Sequence, residues 1–274
     1  MKLTFLSVDH MNCKISYVSV VVLILLLFPL IWGCGPKSPS VILDAEDQYA
    51  VARREFDAER WDRAVVELQK LVFNHPGAAF IDSAQYLLAM AYFNEKEYPS
   101  AILEFNKILY SFPTSPLADD AAFMVAKCDF EMAPRAELDP THTEKALDET
   151  RRFLDDYPQS DRVPEAEELL NRCRTKLAKK AYQAGYLYYR RGKYQAALLY
   201  LEHVLNDYHD TEWAGPAQFR LAEVYYKQGE YGKAREEYQK FVENHPDDKM
   251  AGKAQERLKK IEEKQDKGAQ AEKD

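Results

Sequence analysis

Cys34 sits in PLIWGCGPKSPS, residues 29–40, where a long apolar run stops and glycine, proline and serine begin. Its thiol is the side chain with the clearest chemistry, because a cysteine closing an apolar N-terminal run is a place where a lipid can be attached. The other cysteines do not join it: Cys13 precedes the run, and Cys128 and Cys173 each fall inside a helical pattern without a CxxC partner. The six histidines (His10, His75, His142, His203, His209, His245) form neither HExxH nor a Cys/His cluster, which a zinc site needs. No metal and no cofactor is therefore expected. The acidic pairs Asp119-Asp120, Asp155-Asp156 and Asp247-Asp248 lie at helix starts or turns, where carboxylates favour the helix dipole and solvent over acid–base work. With no GxSxG elbow and no P-loop, no catalytic residue is assigned and the chain is read as a non-enzyme.

The elements around Cys34 begin with Ile15 to Trp32, ISYVSVVVLILLLFPLIW, which carries no charge over 18 residues. A bilayer span needs about 20 residues, so the length is borderline. The run gives way to Gly33-Cys34-Gly35 rather than to a Lys/Arg stop-transfer cluster, a pattern that resembles a bacterial lipobox. Residues 1–33 are then a lipoprotein signal peptide, and Cys34 would carry a diacylglycerol and become the first mature residue. Trp32 stands where a smaller side chain is usual, which leaves a second reading in which the segment stays as an anchor. Met11 is an alternative start, with MNCK as a short basic leader.

The chain carries a net charge of −8, which argues against a nucleic-acid partner. Cleavage before Cys34 removes Lys2, Lys14 and Asp9 and leaves 35 basic against 44 acidic residues, so no polybasic patch does the anchoring. The one basic stretch is Arg172, Arg174, Lys176, Lys179 and Lys180, readable as a solvated helix face or as a dock for an acidic partner.

After a flexible linker over residues 34–43 comes an internal repeat. WDRAVVELQKLVFNHP, YPSAILEFNKILYSFP, TEKALDETRRFLDDYP, YQAALLYLEHVLNDYH and YGKAREEYQKFVENHP align without gaps, with alanine fourth in each (Ala64, Ala101, Ala146, Ala197, Ala234). Four end in proline, which stops an amphipathic helix, and His209 takes that place in the other. A second helix precedes each, marked by a small residue: Ala52, Ala89, Ala126, Gly185 and Ala222. Helix pairs of this period resemble tetratricopeptide repeats, which implies an all-α, right-handed superhelical solenoid of about five pairs. Two insertions break the period. EMAPRAELDPTH lengthens the loop of repeat three, and the stretch between Pro158 and Gly185 predicts one helix from about Pro164 to Arg190. The expected divisions are residues 44–160 for repeats one to three, 161–262 for the long helix with repeats four and five, and 263–274 for a disordered charged tail.

The lipobox, the repeats, DPTHTEKAL in repeat three, FLDDYP and YYRRGKYQAALLYLEHVLNDYHDT together resemble the BamD family of outer-membrane assembly lipoproteins. That resemblance implies a chain at the periplasmic face of the outer membrane, binding the periplasmic domains of a BamA-like insertase and unfolded β-barrel clients. The alternative is a periplasmic coordinator of envelope constriction resembling the Tol-Pal accessory protein, against which the lipobox and the missing heptads count.

Client binding has a candidate surface on the first helices. Three places before and four places after each small residue stand Tyr49 and Phe56, Tyr86 and Phe93, Phe123 and Phe130, Tyr182 and Tyr189, Phe219 and Tyr226. Residues seven apart share a helix face, so these rings line either a client groove or the interhelical core.

Overall fold

In the computed structural model, residues 43–136 and 138–271 are described, and all regular structure among them is helical. Five pairs run in order: α1 (Ala45–Asp57) with α2 (Trp61–Asn74), α3 (Ile81–Asn94) with α4 (Tyr98–Ser111), α5 (Ala118–Met132) with α6 (Thr141–Asp156), α7 (Val163–Arg190) with α8 (Tyr194–Asp207), and α9 (Ala214–Gln228) with α10 (Tyr231–Asn244). A last helix, α11 (Ala251–Ala271), packs on the fifth pair. Each helix packs chiefly on its neighbours in sequence, and successive first helices also touch at α1–α3, α5–α7 and α7–α9, the one-dimensional contact pattern of a repeat solenoid.

The small residues are where the helices close on one another. Ala52, Ala64, Ala89, Ala101, Ala126, Ala146, Ala197, Ala222 and Ala234 are all 0% exposed. At Gly185 even a methyl group is too much, since a Cβ there would lie 2.9 Å from Cγ of Leu201. Four apolar clusters succeed one another along the array, built around Leu68 and Leu71, Phe105 and Phe153, Leu201 and Val204, and Tyr238 and Phe241.

The turns between paired helices repeat as closely as the helices. Glu59, Lys96, Gly192 and Gly229, each seven places after the small residue, all take positive φ, at 56°, 64°, 69° and 81°. The second helices end on residues in a common conformation between helical and extended: His75, Phe112, Tyr157 and His245 have φ between −135° and −128° with ψ between 54° and 57°. Tyr208 adopts φ −133° and ψ 31° before His209 rather than before proline, so proline reinforces this exit without dictating it.

Both insertions appear where the period predicts them. The long helix spans 28 residues, roughly 40 Å at 1.5 Å per residue. Residues 263–271, expected as part of a disordered tail, are helical: α11 begins on the apolar face of Ala254, Leu258 and Ile261, and carries on from that nucleus into the charged sequence. Cys34, the apolar run and the linker lie outside the described residues. Among the described residues no helix is long and apolar enough to cross a membrane.

Candidate protein-binding surfaces

The aromatic ladder divides by burial. Phe123 and Phe219 are 3% and 1% exposed, so these rings are core. Phe123, one of the rings for which client groove and core were both open, packs on Phe153, ring centres 5.8 Å apart, and has no surface left for a client. Tyr49, Phe56, Tyr86, Phe93 and Phe130 are half-buried. Phe56 meets Trp61 at 5.0 Å and Phe93 meets Tyr98 at 5.5 Å, and the same clasp recurs between Tyr189 and Tyr194 and between Tyr226 and Tyr231. In each, the later ladder ring is held by the aromatic residue that opens the second helix. Tyr86 rests edge-on against Phe105 at 5.5 Å, and burial pushes its hydroxyl up to about 12.

Cations lie over two of these rings. Lys127 Nζ lies 5.8 Å from the Phe93 ring and 5.9 Å from Phe123, and the Arg162 guanidinium lies 5.8 Å from Phe123. Such contacts contribute about 0.5–1 kcal/mol at exposed sites. Tyr49 and Arg53 line an open hollow of about 600 Å³ on α1. The first-helix face of repeats one to three therefore offers half-buried rings edged by lysine and arginine, chemistry suited to a chain carrying apolar side chains and carboxylates.

The third repeat lacks the aromatic clasp, because α6 opens with Thr141. Phe130 is covered instead by α7, with the Arg172 guanidinium 4.4 Å and Lys176 Nζ 5.3 Å from its ring. Lys176 also donates to the Ala133 carbonyl at 2.9 Å and Lys180 to that of Leu138 at 2.5 Å, while burial holds the Lys176 ammonium below the usual lysine value. Arg174 donates to the Asp207 carbonyl at 2.8 Å and forms an ion pair with Asp210. The basic stretch, read from sequence as a solvated face or a partner dock, thus spends Arg172, Arg174, Lys176 and Lys180 within the chain, and Lys179 is engaged too. The loop insertion and the helix insertion are mates, one clamped by the other. His142 closes the same loop from the far side, its Nδ1 3.0 Å from Oδ1 of Asp129.

Beside this clamp, a cleft of about 700 Å³ opens between α7, α8 and the start of α6, lined in part by Glu144, Lys180, Leu187, Arg190, Tyr200 and His203. Cys128 and Cys173 are fully buried thiols whose burial pushes them up to about 12, which leaves them inert. No cluster of three or more histidine, cysteine or carboxylate side chains suited to a metal ion gathers among the described residues.

The family model described as YfiO: Outer membrane lipoprotein matches residues 43–220, well over half of the chain. The chain belongs to this YfiO, BamD-like outer membrane lipoprotein family. A tetratricopeptide-repeat model matches residues 216–248 of the same YfiO-family chain, covering the fifth pair. No curated protein matches it significantly. Among solved structures, the TPR domain of P58(IPK) is 17% identical over 80% of this chain and 56% of its own length, with a TM-score of 0.41. This chain therefore spans little more than half of that relative. A TPR repeats protein from Bacteroides fragilis NCTC 9343 is 13% identical over 80% of this chain and 99% of its own, TM-score 0.47. The TPR2AB domain:pHSP90 complex of yeast Sti1 is 14% identical over 83% and 86%, TM-score 0.42. At these scores the likenesses add nothing to the fold read from the helices themselves.

Two features of the YfiO-family chain lie outside its aromatic periodicity. Val66 and Phe73 on α2 and Leu103 and Tyr110 on α4 are exposed, Phe73 at 86% and Tyr110 at 84%. They occupy matching places two and nine residues after Ala64 and Ala101, a spacing visible in the repeat alignment. Arg220 is the other, standing 37 residues before Arg257 in the same register.

Proposed function

We propose that this chain is a non-enzymatic, lipid-anchored scaffold of β-barrel assembly at the periplasmic face of the outer membrane. It holds a BamA-like insertase and receives unfolded β-barrel clients. The observation that carries this reading is the family match over residues 43–220, a span that includes the loop and the long helix clamped to each other. Client binding is assigned to the first-helix face of repeats one to three, where Tyr49, Phe56, Tyr86, Phe93 and Phe130 are half-buried and where Phe93 and Phe130 lie beneath cations. Insertase binding is assigned to the last two repeats, beyond the basic long helix. Cys34 supplies the anchor, with residues 1–33 as signal peptide.

Copurification with a tagged chain tests the scaffold. Recovery of the insertase supports the reading; recovery of a Tol component without it would replace this reading with the envelope-constriction one. Cys34→Ser tests the anchor and should leave an uncleaved precursor without fatty-acid label. A mature mass that begins at any residue other than Cys34 removes it.

A further inference from the structure

Two arginines in the C-terminal repeats occupy equivalent places, and one of them lacks its acid. Arg257, on α11, lies with its guanidinium carbon 4.6 Å from the Tyr226 ring and its Nε 2.8 Å from Oε1 of Glu223, itself 2% exposed. Arg220, 37 residues earlier on α9, lies in the same way 4.8 Å from the ring of Tyr189, which is 37 residues before Tyr226. The repeat puts Tyr186 where Glu223 stands. Its ring, stacked on Tyr189 at 6.4 Å, lies 4.6 Å from the Arg220 guanidinium carbon, so the cation rests against both rings, and no carboxylate pairs with Arg220 among the described residues.

The guanidinium consequently rests against two stacked tyrosines and hydrogen-bonds Tyr189, while its Nε is buried and without a hydrogen-bond partner. A desolvated, unpaired donor of this kind is costly unless something supplies an acceptor. Glu223, one turn further along α9, does not supply it. Its Oε1 accepts from Tyr238 at 2.7 Å and from Arg257, and its Oε2 from Tyr189 at 3.3 Å and from Arg257 at 3.3 Å. A second orphan donor lies along the same run of rings. Trp213, whose buried Nε1 also has no partner, packs on Tyr182 at 5.2 Å, and Tyr182 stacks on Tyr186 at 6.3 Å. Both unmet groups are N–H donors, so the missing species is an acceptor, and Tyr186 at 37% exposure leaves the patch open to solvent on one side.

We propose that Arg220, seated against the stacked rings of Tyr186 and Tyr189, is the anchoring site for a glutamate or aspartate side chain of a partner polypeptide. The acid docks in trans as Glu223 docks onto Arg257 in cis. The guanidinium fork matches a carboxylate with two parallel hydrogen bonds, and the paired rings beneath it hold it in place. This inference stands on the geometry of α7 and α9 and does not depend on which assembly the chain serves.

The test is a fluorescence-anisotropy titration of the purified full-length chain with an acetylated, amidated peptide carrying Tyr-Glu-Tyr, against the same peptide carrying Tyr-Gln-Tyr. The glutamate peptide should bind about tenfold tighter or better, as expected for a charge-assisted hydrogen bond. Arg220→Gln should erase that preference, and Arg220→Lys should keep only part of it. Tyr186→Glu should supply the missing carboxylate from within, raise the melting temperature and also erase the preference. Because the two-peptide comparison needs only the unsubstituted chain, a poorly folding variant does not spoil it. Equal affinity for both peptides overturns the proposal, as does a preference that survives Arg220→Gln or Tyr186→Glu. A glutamine peptide with a free C-terminus that binds as well as the glutamate peptide overturns the assignment to a side chain.

Discussion

Gln85 donates its side-chain amide to Glu104 from the neighbouring helix, with both residues buried, at 3% and 7% exposure. The same pair, 19 residues apart, closes the first repeat as Gln48 with Glu67 and the fifth as Gln218 with Glu237, and in each case a lysine three residues on (Lys70, Lys107, Lys240) meets the same glutamate. Repeats three and four carry Ala122 and Ala181 in place of the glutamine, so the polar clasp is confined to repeats without an insertion.

Gln85→Ala should therefore cost more than its volume implies, because it leaves a buried carboxylate short of a donor. About 1–3 kcal/mol is expected in urea unfolding. Lys145→Ala, at an exposed place on α6, should change stability by less than about 0.5 kcal/mol and serves as the control.

Lys96→Gly should stabilise the chain by about 1 kcal/mol, since a left-handed backbone at a non-glycine residue costs roughly 1–2 kcal/mol and glycine's extra freedom in the unfolded chain offsets part of the gain. Glu59→Gly should do the same, and Gly229→Ala should destabilise by a similar amount. A thermal melt of the three variants decides it, and a fall in melting temperature for Lys96→Gly would mean that the left-handed turn is not held in solution.

Glu223 predicts acid sensitivity. Burial alone would raise its carboxyl, but the hydrogen bonds from Arg257 and Tyr238 outweigh that and hold it below the ordinary glutamate value. A carboxylate depressed on folding contributes its full stability above the unfolded value and loses it as pH falls through the folded one, so the loss should appear below about pH 4 to 5. Glu223→Gln should flatten that acid limb. At neutral pH it should destabilise by about 2 kcal/mol or more, because Arg257 is left partly buried beside a weaker acceptor. Urea midpoints at several pH values on both proteins separate the two effects.

Phe123→Ala and Phe93→Ala should part company. Truncating the buried Phe123 should cost about 3–5 kcal/mol of folding stability. Phe93, half-buried beneath Lys127, should cost less in stability but weaken a peptide copied from a barrel protein's C-terminus by about 1–2 kcal/mol. Unfolding and peptide titration on the same samples give the answer. Equal unfolding losses for the two variants, with unchanged peptide binding, would assign the whole ladder to the core.

Much of this architecture was legible in one dimension. Alanine and glycine at fixed intervals, with aromatic and proline markers, set the helix pairs, because a small residue at a crossing and a breaker at an exit act within a turn or two of the chain. The lengths of the two insertions, and hence the long α7, came from counting. The same local rule explains the misread tail: charged composition marked residues 263–271 as disordered, yet helix started by Ala254 and Ile261 against Phe241 runs on through them.

Tertiary structure alone decided which side of each ladder ring faces protein. Phe93 and Phe123 belong to one periodic series, but burial depends on what the neighbouring helix brings, and α6 brings Phe153 to Phe123 while α4 brings only the edge of Tyr98 to Phe93. It also turned the basic stretch inward, since the carbonyls of Ala133 and Leu138 that occupy Lys176 and Lys180 lie more than 40 residues away in sequence. Arg220 and Arg257 make the same point. Register sets Glu223 in the place near Arg257 that Tyr186 takes near Arg220, but only the packing of α7, α9 and α11 shows that the first pair bonds and that the Nε of Arg220 is buried without a partner, because such contacts are settled by distance in space.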